Sequence, residues 1–209
     1  MKRLFWVILI CISLVNISLA APEPAVVPDA DIWTVDVSYE NPRQIMVQVD
    51  GRAKLYWYVI LTVTNNSGQD VDFYPRCEVM TDTFKIAPAS VGIAPIVFQS
   101  IKMRHQTLYP FLEPLDSCGN RILQGKDNTK DIAIIWPDFD PQAKGMNLFI
   151  AGLSNEAVAI NHPVEKDEEG RPIKVFLRKT LELSYSLGGD PAFRTNVQLT
   201  PKGKYWIMR

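Results

Sequence analysis

Nucleophilic catalysis needs a base beside the nucleophile and a group that orients the base, and histidine usually fills that role because its pKa lies near neutrality. The 209-residue chain holds two, His105 and His162. His105 falls on a segment with helical spacing, and His162 stands before Pro163 in a loop. No serine occupies a nucleophile-elbow pattern, and neither Cys77 nor Cys118 has a histidine close in sequence. A triad would have to be assembled in space from very few bases. The expectation is a noncatalytic protein with no cofactor.

Metal chemistry has equally thin support. Met103-Arg104-His105 has the Met-x-His form used by soft-metal sites in exported copper proteins, but two ligands do not make a site. Asp127, Asn128 and Asp131, or Asp138 and Asp140, present clustered oxygens of the kind calcium takes. Neither group has the EF-hand spacing or its glycine, so turn and surface roles are expected and no metal is assigned. Asn65-Asn66-Ser67 is formally a glycosylation acceptor, and its place between strands makes a turn role sufficient.

The N-terminus has the layout of an export signal. Lys2 and Arg3 precede an apolar run from Leu4 to Val15, a polar break follows at Asn16 and Ser18, and Ser18 and Ala20 supply the small-x-small pattern. Residues 1–20 are expected to be cleaved, leaving a Pro-rich leader over 21–30 and one domain over 31–209. The apolar run falls short of the roughly 20 residues of a membrane-spanning helix. Lipidation at Cys11 is disfavoured because Ile10 stands where a lipobox has Gly or Ala. The protein is therefore placed in the periplasm or outside the cell, with no transmembrane segment after cleavage.

Cleavage changes two quantities. Losing Lys2 and Arg3 from 22 basic residues leaves 20 against 23 acidic ones, a net charge of about −3 with no nucleic-acid footprint. Losing Cys11 from three cysteines leaves the pair Cys77 and Cys118 in a compartment that favours oxidation. A disulfide between them would close a loop of about 40 residues and contribute roughly 3–4 kcal/mol on the chain-entropy model. Two buried thiols packing as small apolar groups are the alternative.

The elements that would hold these groups are mostly strands. Residues 31–39 alternate with period two, Asn41 and Pro42 interrupt, and residues 44–50 run into Asp50-Gly51, a two-residue hairpin signal. Residues 54–64, KLYWYVILTVT, are apolar on both faces, as in a central strand of a packed sheet. Further strands are expected at 71–75, 77–84, 131–139 and 146–153, and near 155 and 174 about an exposed charged hairpin. A strand over 173–187 then reverses at Gly188-Gly189-Asp190-Pro191 into two more, 193–200 and 204–209. Between them, Val97, Ile101 and His105 repeat at helical spacing behind Pro95, predicting a short helix over about 95–107. Trp57, Trp136 and Trp206 are assigned to packing in the strands, and Trp33, Tyr109 and Phe111 are candidates for a binding surface.

Strands spaced by turn signals indicate a β-sandwich. Residues 54–75, an apolar strand followed by a Thr-Asn-x-Ser-Gly turn and a short aromatic strand, resemble bacterial immunoglobulin-like domains. Residues 121–156 are similar to a group of uncharacterised exported bacterial proteins with the same order of segments. The resemblance implies an all-β, immunoglobulin-like sandwich and implies no activity. The helix is the departure from that pattern, and function gathers on connections held by a rigid scaffold. The expectation is a protein-interaction or structural module of the periplasm or cell envelope whose contact surface is Met103, His105, Tyr109 and Phe111. The alternative is a small-molecule or metal binder.

Overall fold

The computed structural model describes residues 31–189 and 197–209, together with the backbone of Ala25–Val26. The expected export segment, most of the expected leader and part of the turn after Gly188 lie outside the described residues, as do residues 193–196 of the expected strand 193–200. Among the described residues the fold is mostly β, with several sheets and one α-helix. In chain order the strands are β1 (Ala25–Val26), β2 (Asp36–Tyr39), β3 (Arg43–Val49), β4 (Arg52–Thr64), β5 (Val71–Asp72), β6 (Arg76–Thr81) and β7 (Ile86–Pro88). Helix α1 (Pro95–His105) follows, then β8 (Glu113–Pro114), β9 (Arg121–Ile122), β10 (Lys130–Pro137), β11 (Gly145–Ala151), β12 (Ala157–Lys166), β13 (Pro172–Gly188) and β14 (Gln198–Met208).

One sheet has the order β2–β4–β10–β8 with β3 also on β4, and a larger one runs β1–β12–β13–β11–β6–β7 with β14 also on β13. Strands β5 and β9 form a separate pair. The Asp50-Gly51 hairpin forms as its residues predict, joining Val49 to Arg52 with positive φ at both turn residues, the backbone a two-residue type I′ turn requires. Beyond the hairpin, β3 and β2 behave as one strand along β4. The register moves by one residue between Arg43 opposite Tyr58 and Tyr39 opposite Leu61. Glu40, Asn41 and Pro42 form the bulge that absorbs the shift.

The double-sided apolar pattern of β4 has a direct structural cause. Trp57, Val59, Leu61 and Val63 join a core shared with Val79 of β6, Leu148 and Ile150 of β11 and Leu181 and Leu183 of β13. Tyr56, Tyr58 and Ile60 face the other way, into a second core closed by Val97 and Ile101 of α1. Strand β10 repeats the arrangement, with Ile132, Ile134 and Trp136 on one side and Ala133 and Ile135 on the other. The order of layers is therefore sheet, sheet, helix.

Several expected strands change. Residues 193–200 and 204–209 read as separate strands because Pro201-Lys202-Gly203 carries turn residues; among the described residues Gln198–Met208 is one strand, and Lys202 is skipped where the register shifts between Ser184 and Tyr185. The strand expected over 71–75 is only Val71–Asp72, because Phe73 turns into the core and Pro75 cannot donate to a ladder.

Candidate functional site

Helix α1 begins with Pro95 at its first position and buries Val97, Ile101 and His105, the three residues whose spacing predicted it. Its last turn carries Lys102, Arg104 and His105, cations that suit a helix C-terminus. The chain then folds tightly, with the His105 carbonyl accepting from the N–H groups of Leu108 (3.0 Å) and Tyr109 (2.9 Å). This turn sends His105, Tyr109 and Leu112 inward and Leu108 and Phe111 outward.

The four expected contact residues separate accordingly. Met103 (68% exposed) and Phe111 (83%) stand in solvent, joined by Leu108, which the sequence reading had not singled out. His105 is only 5% exposed, and Tyr109 is half-buried against the helix-side core. His105 is thus corrected from contact residue to support, because its position one turn after Ile101 places it on the apolar side of the helix.

A polar chain runs beneath this surface. The His105 Nε2 lies 2.9 Å from the Tyr58 hydroxyl, and the Tyr109 hydroxyl donates to Glu40 Oε1 at 2.8 Å. Arg43 holds the other Glu40 oxygen at 2.8 Å across the β2–β3 bulge. Burial, with the Arg43 charge second, holds the His105 pKa below its ordinary value. Burial and the Glu40 hydrogen bond push the Tyr109 phenol up to about 12. The imidazole is held neutral and faces a phenol, so this cluster fixes the α1 exit on the sheet and presents no activated nucleophile.

A groove of about 510 Å³ opens at the edge of β6, among Cys77, Ala89, Leu115 and Phe149, with Arg76 and Asp116 among its polar lining residues. Arg209 closes one side, its guanidinium 4.0 Å from the centre of the Phe149 ring and paired with Glu78. A smaller cavity of about 230 Å³ shares Ser90 and Asp116 with it and reaches Pro95 and Phe98 of α1. Sequence reasoning missed this groove. Its walls come from six separate stretches of chain, and none of them carries a pattern of its own.

The remaining candidates are held by local structure. Cys77 and Cys118 are both buried in the core between the sheets as free thiols. Burial raises both pKa values, Cys77 well above the ordinary thiol range, so neither has the thiolate character of a nucleophile. His162 accepts the Glu165 N–H on Nδ1 at 2.8 Å in an irregular stretch of β12. Asp131 accepts from Thr62, Asp138 from the Trp57 indole, and buried Asp140 from Thr83 and the Gln142 N–H. Among the described residues no three His, Cys, Asp or Glu side chains stand together to hold a metal ion. Asn65 is fully buried, bonding the Gln69 and Ile122 carbonyls and accepting from Ser67, which is the turn role expected of it. No helix among the described residues is long and apolar enough to cross a membrane. No protein-family model, curated protein or solved structure matches the chain.

Proposed function

We propose that the chain is a noncatalytic exported β-sandwich of immunoglobulin-like topology, acting as a protein-interaction or structural module of the periplasm or cell envelope. It would group with the exported bacterial proteins that residues 121–156 resemble. The strand order supports the topology: the chain alternates between sheets, with β4 and β10 paired in one and β6 and β11 paired in the other. That alternation is the crossing pattern of immunoglobulin-like sandwiches, here with α1 inserted between β7 and β10.

One observation carries the interaction reading. Met103, Leu108 and Phe111 are large apolar side chains held in solvent within nine residues of one connection, while His105, Tyr109 and Leu112 anchor that connection to the sheet. Exposed apolar residues on a fixed platform mark contact surfaces. The test is crosslinking capture from envelope extract with the mature protein and with a Met103→Ser, Leu108→Ser, Phe111→Ser variant. The variant keeps its fold and loses the captured partner; identical capture by both would show that this surface is not the contact.

A second reading is small-molecule binding. The groove beside Phe149 supports it, because its volume of about 510 Å³ falls in the range of roughly 300–1,000 Å³ typical of ligand sites. Native mass spectrometry of the purified chain would show a co-purifying molecule if this reading holds and the bare mass if it does not.

A further inference from the structure

We infer that the groove at the edge of β6 binds a short apolar peptide by its two charged ends. The inference rests on the small-molecule reading of that groove and names the ligand's class. Arg76, Glu78, Asp116 and Arg209 line the groove, and they fall into two kinds. Arg209 and Glu78 neutralise one another, with the guanidinium stacked on Phe149. Arg76 and Asp116 are exposed and have neither an ion pair nor a side-chain hydrogen bond among the described residues.

These two charges stand on different walls. Cys77 and Val79 point into the core, so by the alternation of β6 Arg76 projects with Glu78 to the outer side of the sheet, where Phe149 lies opposite Glu78. Asp116 belongs to the short helical turn Leu115–Ser117 and also lines the cavity that reaches Pro95 and Phe98 of α1. A bound molecule therefore meets a cation on the sheet side and a carboxylate on the helix side. The rest of the wall is mainly apolar, with Pro75, Pro88, Ala89, Leu115 and Phe149, and a charge pair formed there is less screened than one in open water.

Ser90 stands where the groove and the cavity meet. Its φ of 63° is uncommon for a residue with a side chain, and its N–H is held by the Ile135 carbonyl at 2.8 Å. Its hydroxyl has no hydrogen-bond partner among the described residues, which leaves it for a peptide group of the ligand.

The separation of the charges selects the occupant. A zwitterionic phospholipid carries both charges together in one headgroup, whereas a short peptide carries them at opposite ends with its side chains between. Only the peptide matches a cation and a carboxylate on facing walls of an apolar groove. Its terminal carboxylate pairs with the Arg76 fork, and its terminal ammonium with Asp116. A volume of about 510 Å³ is in the range that holds a ligand of a few residues.

The experiment is isothermal titration calorimetry of the mature chain with trileucine, N-acetyl-trileucine, trileucine amide and dihexanoyl phosphatidylethanolamine, with circular dichroism to confirm folding of each variant. We expect trileucine to bind and each blocked end to weaken it about tenfold. Asp116→Asn should weaken trileucine about tenfold and leave N-acetyl-trileucine unchanged, and Arg76→Gln should do the same for trileucine and leave the amide unchanged. Equal affinity of the blocked and free peptides would overturn the inference while leaving the groove a small-molecule site, as would tighter binding of the phospholipid. No heat from any probe would also overturn it, and a bare mass in native mass spectrometry would then remove the small-molecule reading too.

Discussion

The hydroxyl of Tyr58 and the Nε2 of His105 lie 2.9 Å apart, joining the central strand to the last residue of the helix across 47 positions of sequence. Each would be an unmatched buried polar group without the other. The arrangement makes the attachment of α1 sensitive to acid. In the fold, burial and the Arg43 and Arg104 charges disfavour the imidazolium, with Glu40 opposing them, so the folded pKa lies below the unfolded value of about 6.5. The stability this supplies is complete above the unfolded pKa and is lost as the pH falls through the folded one, because the unfolded chain takes up the proton first. Thermal melts from pH 8 to pH 5 should show a steeper loss in the native chain than in His105→Gln. Parallel profiles would place the acid sensitivity elsewhere.

Trp57 and Trp136 are opposite one another in the β4–β10 ladder and equally buried, yet their indoles differ. Trp57 Nε1 donates to Asp138 Oδ1 at 2.8 Å, and Trp136 Nε1 has no hydrogen-bond partner among the described residues. Replacing either by Phe removes similar apolar volume, but only Trp57→Phe removes a hydrogen bond to a carboxylate. Urea unfolding should find Trp57→Phe less stable than Trp136→Phe by about 1–2 kcal/mol. Equal losses would show that the Asp138 bond adds nothing net.

Much of this architecture could be read along the chain because it depends on local period. The alternation in Tyr56-Trp57-Tyr58-Val59 indicated a strand buried on both sides, and the spacing of Val97, Ile101 and His105 identified the helix but not which of its residues face inward. What could not be read depends on partners distant in sequence. Nothing local distinguishes His105 as a ligand for a tyrosine from His105 as a surface residue. The groove needs Cys77, Ala89, Leu115 and Arg209 brought together. Turn residues also misled at Pro201-Lys202-Gly203, where a bulge absorbs what resembles a break.

Gly51 and Gly152 share a positive φ and differ in surroundings. A Cβ on Gly51 meets nothing within 4 Å, whereas on Gly152 it would collide with the Tyr74 carbonyl oxygen and lie 2.8 Å from its carbon. Gly51→Ala therefore carries only the backbone strain, about 1 kcal/mol. Gly152→Ala adds a clash between two backbone segments, and should lose more than about 2 kcal/mol. Chemical denaturation of both variants measures the difference. Similar losses would mean that the Tyr74 segment yields freely.

The two cysteines offer a test that separates burial from oxidation. Cys77 and Cys118 belong to the same core, and their raised pKa values leave little thiolate near neutrality. Alkylation of the native chain at pH 8 should label neither, since both access and the reactive form are lacking. Export into an oxidising compartment favours a bridge between them, and for exported protein we propose that one forms. Unfolding such protein without reductant should then expose no thiol, and adding reductant should expose two. Free thiols appearing on unfolding alone would retire the bridge and leave both side chains as apolar packing. Cys77→Ser would then serve as the control: a polar hydroxyl beside Ala89 and Leu115 should destabilise the core with or without reductant, whereas loss of a bridge would matter only in oxidised protein.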